Sequence, residues 1–234
     1  GNPWLSDRVD DSFHALRQRT IEETGHDFFV HLSDAWRAVS FDSSASSYTS
    51  WHKAGRAIDT LMDYLSPDAG AASGRQRWLE VALEPAAGDV YWRLYLRCER
   101  QDGSQGAPLK VRPWDVTAGA RANLRGGRFK PAPEGYYVDL TALMAEYGWL
   151  RIAAHDHPDF DWHTNFVALE YWHFQKTEGL LWYEAMLELF PRDVVELHHS
   201  WEVQQLKETS LWLAWAKGVP LPWKERRMME RIAQ

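Results

Sequence analysis

The polar stretch SWHKAGRAID, residues 50–59, constrains the fold of this chain more than any other segment. It places His52 and Asp59 seven positions apart, with Gly55 between them. A regular helix would separate the two side chains by about 10 Å along its axis, and a straight strand would point them to opposite faces. Glycine adopts the positive φ values that a tight reversal often needs. We therefore expect a turn at Gly55 that lets the histidine and the aspartate converge on one point.

The composition indicates a globular protein with one hydrophobic core. The chain has 234 residues, of which 45% are hydrophobic and 14% aromatic, and this length suffices for one core with an insert or extension. The net charge of -7 argues against nucleic-acid binding, which needs a surplus of lysine and arginine. No apolar run reaches the roughly eighteen residues of a membrane span, and the first residues lack the features of a signal peptide.

Hydrophobic periodicity predicts the elements before and around the first motif. Residues 8–24 carry apolar side chains at helical spacing, and Gly25 follows as a helix stop. The segment HDFFVHLSDAWRAVSF, residues 26–41, predicts a short strand followed by a turn or a helix start. Residues 42–50 have the composition of a loop, and the small residues of 66–74 indicate a boundary.

Residues 76–145 have the pattern of a strand-rich insert. The segments at 78–84 and 90–99 alternate with a period of two, which predicts an antiparallel pair, and LKVRPWDV at 109–116 predicts a further strand. In the second segment we expect an inner face of Trp92, Leu94, Leu96 and Cys98 and a solvated outer face of Tyr91, Arg93, Tyr95 and Arg97. Cys98 is expected to be a small buried apolar residue.

The remaining segments predict helices and one strand. Residues 139–154 predict a short helix that is capped near Asp139 or Thr141, then a strand after Gly148. From residue 177 onward the pattern is helical, and its many tryptophans and leucines are expected to pack against the core.

A second polar stretch, residues 155–175, supplies candidate partners for the first motif. Glu170 and His173 are three positions apart, and a zinc hydrolase needs a ligand histidine with a carboxylate close enough to accept a proton. In a regular strand these two would face opposite ways, so we expect the strand at 166–174 to end, twist or bulge between them. Because Cys98 is the only cysteine, a metal ion would need histidine and carboxylate ligands.

Other histidines are weaker candidates for a site. His155, His157 and His163 raise the alternative of a second metal site, but no spacing signature supports it, and a polar loop lining the cleft explains them. We expect His198 and His199 to lie on a helix surface.

The two motifs carry a resemblance to a known family. SWHKAGRAID resembles the S-x-H-x-x-G-x-A-x-D signature, and EYWH the E-x-W-H signature, of the zinc D-Ala-D-Ala carboxypeptidase and dipeptidase family. That family shares its fold with the hedgehog signalling domain and the lysostaphin-type peptidases. The similarity covers about residues 8–66 and 146–176, and an arginine in AWRAVS precedes the first motif as in the family. Trp51 and the long insert depart from the family pattern.

The resemblance implies a zinc cofactor and a set of functional residues. These are the ligands His52, Asp59 and His173, the general base Glu170, and Arg37 and Ser50 as contacts for the substrate carboxylate or carbonyl, with Arg37 also counted as catalytic. Two imidazoles and one carboxylate leave a fourth zinc position for water, which fits the same chemistry independently.

The expected fold is α+β, with a small antiparallel sheet that bears the zinc site and helices packed on one side. Residues 1–176 would form the catalytic domain, with the insert at 76–145 extending this sheet or covering the cleft, and residues 177–234 a helical C-terminal extension packed on the core. The implied function is hydrolysis of an amide bond near a peptide C-terminus, in D-Ala-containing bacterial cell-wall peptides outside the cytoplasm. The expected partner is a peptide or muropeptide substrate. The alternative is a non-catalytic zinc-containing binding protein on the hedgehog-like fold.

Overall fold

The chain folds into an α+β architecture with two small antiparallel sheets and helices at both ends of the sequence, as expected. The computed structural model describes residues 4–41, 49–64, 77–115, 128–155, 161–197 and 211–234. The loop expected at 42–50 therefore lies mostly outside the described residues, as does the boundary at 66–74.

The described strands and helices are named in chain order. The strands are β1 (Ala57–Asp59), β2 (Leu79–Ala86), β3 (Asp89–Arg97), β4 (Ala107–Pro108), β5 (Tyr136–Asp139), β6 (Leu150–Arg151) and β7 (His173–Gln175). The helices are α1 (Asp7–Thr24), α2 (Leu140–Glu146), α3 (Trp182–Leu189), α4 (192–197), α5 (Leu211–Ala216) and α6 (Trp223–Ile232). In the described part of the chain, no helix is both long and apolar enough to cross a membrane.

Helix α1 confirms the first periodicity prediction. The Ser6 side chain accepts a hydrogen bond from the backbone N–H of Arg8, which caps the helix start. Gly25 ends the helix with φ of 82° and donates its N–H to the Ile21 carbonyl. The apolar face packs into the core, where the rings of Phe13 and Trp149 meet edge to face.

The strand expected within 26–41 is wrong. Phe28–Val30 is a short 3-10 helix, and residues 31–41 form neither a strand nor a helix. Phe28 and Phe29 are both buried and their ring centroids lie 5.3 Å apart. A strand would have pointed these adjacent rings to opposite faces, whereas the tight turn buries both.

The insert forms its own four-stranded sheet, in the order β2-β3-β5-β4. The antiparallel pairing of β2 with β3 is confirmed, and the expected inner face is buried. The outer face is only half buried, and there Arg93 bridges Glu84 and Asp139. The further strand expected at 109–116 is wrong, because its described residues contribute only an isolated bridge at Trp114. Pro113 removes a donor from that segment.

Helix α2 connects the insert to the three-stranded sheet, whose order is β1-β7-β6. The Asp139 side chain accepts from the N–H of Ala142 and caps α2, and Gly148 with φ of 80° leads into β6, both as predicted. The insert therefore does not extend the three-stranded sheet, and none of its described residues lines the cavity at the candidate site described below. The expectation that the insert extends that sheet was wrong for its described strands, because they close their own hydrogen-bonded ladder, and residues 116–127 of the insert lie outside the described residues.

A second apolar cluster joins the C-terminal helices to the first motif. Trp51 and Ala54 lie in it with Trp182, Tyr183 and Met186, and helices α5 and α6 also contribute to it. The extension therefore packs directly against the loop that carries His52.

Candidate metal centre

The turn predicted at Gly55 is confirmed. Its φ is 61°, and its N–H donates to the carbonyl oxygen of His52 at 3.1 Å. A Cβ at this position would lie 2.7 Å from the backbone nitrogen of Ser6, so glycine is required for space as well as for conformation. The reversal brings the His52 Nε2 atom to 3.2 Å from the Oδ1 atom of Asp59.

The second motif reaches the same place by a different route from the one expected. Residues 166–169 form a 3-10 helix instead of a strand, and Glu170 follows it in the left-handed conformation, with φ of 53° and ψ of 19°. The N–H of His173 donates to the Glu170 carbonyl at 3.2 Å, and β7 begins only at His173. The expected strand at 166–174 was therefore wrong in its first part, since a turn separates the glutamate from the histidine.

Strand pairing places the third residue of the group. Asp59 lies opposite His173 in the antiparallel register of β1 and β7, which brings two such side chains together on one face. The next pair, Ile58 and Phe174, points to the other face and is buried in the core. The His173 Nδ1 atom lies 2.9 Å from the same Asp59 oxygen that faces His52.

The three side chains form a compact buried group that can hold a metal ion. Their candidate ligand atoms all lie within 4.8 Å of one another, and the exposed fractions of His52, Asp59 and His173 are 1%, 7% and 9%. Ligands about 2.0 to 2.1 Å from a tetrahedral zinc ion are about 3.3 Å apart. The 3.2 and 2.9 Å separations between the imidazole nitrogens and the aspartate oxygen are close to that value.

In each imidazole, one nitrogen (the inner nitrogen) faces Asp59, and the other (the outer nitrogen) faces a carbonyl oxygen. His52 Nδ1 lies 3.1 Å from the backbone oxygen of Ala35, and His173 Nε2 lies 3.4 Å from Oε1 of Gln175. Such acceptors favour a proton on the outer nitrogen, which leaves the inner lone pair aimed at the Asp59 carboxylate. Lone pairs of three inward-facing atoms repel one another unless a cation, a proton or a metal ion, lies between them. The arrangement therefore fits metal ligation.

The pKa shifts of the site follow from burial and from these contacts. Burial alone would raise the pKa of Asp59, but hydrogen bonds and charge from His173 and His52 hold it below its usual range. Burial opposes protonation of His173, yet Asp59 and Glu170 together raise its pKa. For Glu170, burial is the largest effect and raises the pKa of the carboxyl group.

A cavity of about 580 Å³ opens onto the three candidate ligands. The other site residues expected from the sequence, Arg37, Ser50 and Glu170, also line it. The Arg37 Nε donates to the Asp34 carboxylate at 2.7 Å, and its Nη2 lies 3.6 Å from Asp59 Oδ2. Ser50 is buried, and its hydroxyl oxygen accepts from the N–H of His52. A larger groove of about 840 Å³ at the start of α1 contains none of these residues.

The other candidate histidines do not join this group. Among the described residues, the only cluster with metal-ligand spacing is the one above, and it includes neither His155 nor His163. His163 instead contacts Asp161 through Nδ1 at 2.6 Å. His157, His198 and His199 lie outside the described residues.

Three residues that shape the site were not among those expected from the sequence. Gln175 could have been found, because it lies two positions after His173 and so on the same face of β7. Asp34 lies three positions before the Arg37 that it orients, but the segment is not a helix in which that spacing would predict a contact. Lys217 gives no local signal, because it reaches the cavity from the C-terminal helices.

Comparison of the chain with models of protein families, with curated proteins and with solved structures found no match. The class that the fold and the site define is an α+β protein with a buried His-Asp-His group able to hold a metal ion.

Proposed function

We propose that this chain is a zinc-dependent peptidase that hydrolyses an amide bond near a peptide C-terminus. The observation that carries the proposal is the convergence of His52, Asp59 and His173 beside Glu170 in one cavity. The D-Ala-containing cell-wall peptides are proposed as substrates because the two signature stretches resemble those of the zinc D-Ala-D-Ala carboxypeptidase and dipeptidase family.

Zinc is the metal that the ligand set supports best. Two imidazoles and one carboxylate are typical of catalytic zinc sites with an open position, and the chain has no cysteine cluster. When bound, zinc acts as a Lewis acid that polarises a carbonyl group and lowers the pKa of water. His52 and His173 would hold it through their inner nitrogens and Asp59 through its carboxylate.

Glu170 is the proposed general base. Its burial in the cavity wall raises the pKa of its carboxyl group toward the range useful for proton transfer. The carboxylate would accept a proton from the water molecule that attacks the scissile carbonyl. It would then deliver this proton to the nitrogen of the leaving amine as the C–N bond breaks.

Arg37 is the proposed contact for a substrate carboxylate. Its guanidinium group lines the cavity and is oriented by Asp34. A guanidinium is always charged and can bind a carboxylate in a bidentate manner. Such a contact would favour cleavage near a free C-terminus, in a carboxypeptidase or a dipeptidase.

Mass spectrometry on a peptide panel tests the proposal. The panel contains the D-Ala-D-Ala dipeptide, muropeptides that end in D-Ala-D-Ala, and L-peptides of the same length. The zinc-loaded protein should cleave members with D-Ala at the C-terminus. Glu170→Gln should keep zinc and lose turnover by about 10² or more, since it preserves size and removes the base.

Two results would overturn parts of the proposal. Zinc-loaded protein that cleaves no member of the panel would favour a zinc-containing binding protein. Near wild-type turnover by Glu170→Gln on a cleaved peptide would show that another group is the base. Glu134→Gln, which changes a glutamate in the insert outside the cavity, is the matched control and should leave turnover unchanged.

A further inference from the structure

The C-terminal extension contributes a cation to the cavity. Lys217 follows α5 directly, and its backbone N–H donates to the Leu213 carbonyl at 3.1 Å. Its own carbonyl oxygen accepts from the N–H of Tyr183 in α3 at 3.0 Å. Contacts to two helices therefore fix the backbone position from which the lysine side chain extends.

The side chain of Lys217 lies over the residue that precedes a candidate metal ligand. Its Nζ atom is 5.7 Å from the ring centroid of Trp51, within the range of a cation–π contact. Trp51 is buried and directly precedes His52. Lys217 lines the same cavity as the metal group and Glu170, so its charge acts on whatever occupies that cavity.

Lys217 differs from the other cation of the cavity in its partners. Arg37 forms an ion pair with Asp34 at 2.7 Å. Within the described ranges, no acidic residue forms an ion pair or a side-chain hydrogen bond with Lys217. Burial lowers the pKa of its ammonium group, with no carboxylate to offset that effect. An ammonium group that lines a cavity without a carboxylate partner among the described residues is stabilised by an anion that enters the cavity.

We propose that Lys217 is a specificity-determining residue that binds a carboxylate group of the substrate. This inference rests on the proposed peptidase function, because it concerns the occupant of the same cavity. A peptide offers this group either as its C-terminal α-carboxylate or as an acidic side chain. The cation–π contact with the Trp51 ring positions the ammonium group of Lys217, which accounts for a large aromatic residue between Ser50 and His52.

Kinetics on matched peptides distinguish the two sources of the carboxylate that Lys217 would bind. The four probes are peptides that end in D-Ala-D-Ala. Either D-Glu or D-Gln precedes these two residues, and each of the two peptides is made as the free acid and as the C-terminal amide. Lys217→Met should raise KM about tenfold, with kcat and zinc content little changed, because a hydrogen bond to a charged group is lost. Lys217→Arg should restore most of the affinity. Lys224→Met, at an exposed lysine on α6, should behave as wild type.

The peptide series identifies the bound group. A Lys217→Met effect that vanishes on C-terminal amides assigns the lysine to the α-carboxylate, and one that vanishes on D-Gln peptides assigns it to the side chain. An effect of equal size on all four probes would overturn carboxylate recognition. So would unchanged kinetics of Lys217→Met on every cleaved peptide, while the proposed peptidase function would stand.

Amine acetylation provides a test that does not depend on hydrolysis. The rate of acetylation of Lys217 in zinc-loaded protein is followed by mass spectrometry with N-acetyl-D-glutamate, which carries both an α-carboxylate and an acidic side chain, or its diamide as the probe. The free acid should slow the reaction at Lys217 at least about threefold, because an ion-paired amine is less nucleophilic, while Lys224 is unaffected. Absence of protection overturns the inference. Protection in a protein that cleaves no peptide would support the carboxylate site and reject the peptidase function.

Discussion

The indole N–H of Trp182 donates a hydrogen bond to the backbone carbonyl oxygen of Ser50 at 2.9 Å. This contact joins α3 of the C-terminal extension to the start of the motif that carries His52. Trp182 is fully buried and packs in the same apolar cluster as Trp51. The extension is therefore part of the support of the candidate metal centre.

Replacing Trp182 by phenylalanine should weaken this support. The change keeps an aromatic ring but removes the indole donor, so the Ser50 carbonyl retains only the N–H of Lys53, and loss of one such hydrogen bond costs about 0.5 to 1.5 kcal/mol. Urea unfolding of the protein should show this loss. Trp212→Phe, at a half-exposed tryptophan on α5, should change the free energy of unfolding by less than about 0.5 kcal/mol. Equal effects of the two variants would contradict the supporting role.

Gln175 should control the affinity for zinc without being a ligand. Its amide oxygen faces the outer nitrogen of His173, and removal of such a partner typically lowers metal affinity by about 10- to 100-fold. Competition with a chelator should therefore show weaker zinc binding by Gln175→Ala. Gln18→Ala, at an exposed glutamine on α1, is the control. An unchanged affinity for Gln175→Ala would mean that the Gln175 contact does not orient the imidazole.

The left-handed backbone conformation of Glu170 should lower the free energy of unfolding of the protein. A side chain in the left-handed conformation costs about 1 kcal/mol or more relative to glycine, and Glu170 has φ of 53°. We expect Glu170→Gly to have a free energy of unfolding about 1 kcal/mol above that of Glu170→Ala. Both variants lose the carboxylate, so thermal or urea unfolding compares the backbone alone. If alanine is as stable as glycine there, the conformation carries no strain.

Local signals made part of this structure predictable. The turn at Gly55, the end of α1 at Gly25 and the β2-β3 pair each depend on residues close in sequence, and each was confirmed. The strands expected at 26–41 and 166–174 were wrong where 3-10 helices put adjacent apolar residues into the core. A short apolar run in the sequence does not distinguish a strand from a 3-10 helix.

Long-range contacts limited the prediction of the site. The two motifs indicated that His52, Asp59 and His173 would meet, and they do. Lys217 lies far along the chain and enters the cavity only because the C-terminal helices pack around Trp51. No pattern within the C-terminal segment reveals that packing, so the position of Lys217 in the cavity could be seen only in the structure.

Zinc titration of the metal-free protein tests the central claim that His52, Asp59 and His173 hold one metal ion. Calorimetry and metal analysis should give about one zinc per chain for the wild type. His52→Ala and His173→Ala should each lose this binding, because two protein ligands do not retain a structural or catalytic zinc ion. His163→Ala, at a histidine outside the group, should bind zinc as the wild type does. Wild-type protein without zinc affinity, or undiminished binding by His52→Ala and His173→Ala, would contradict the assignment.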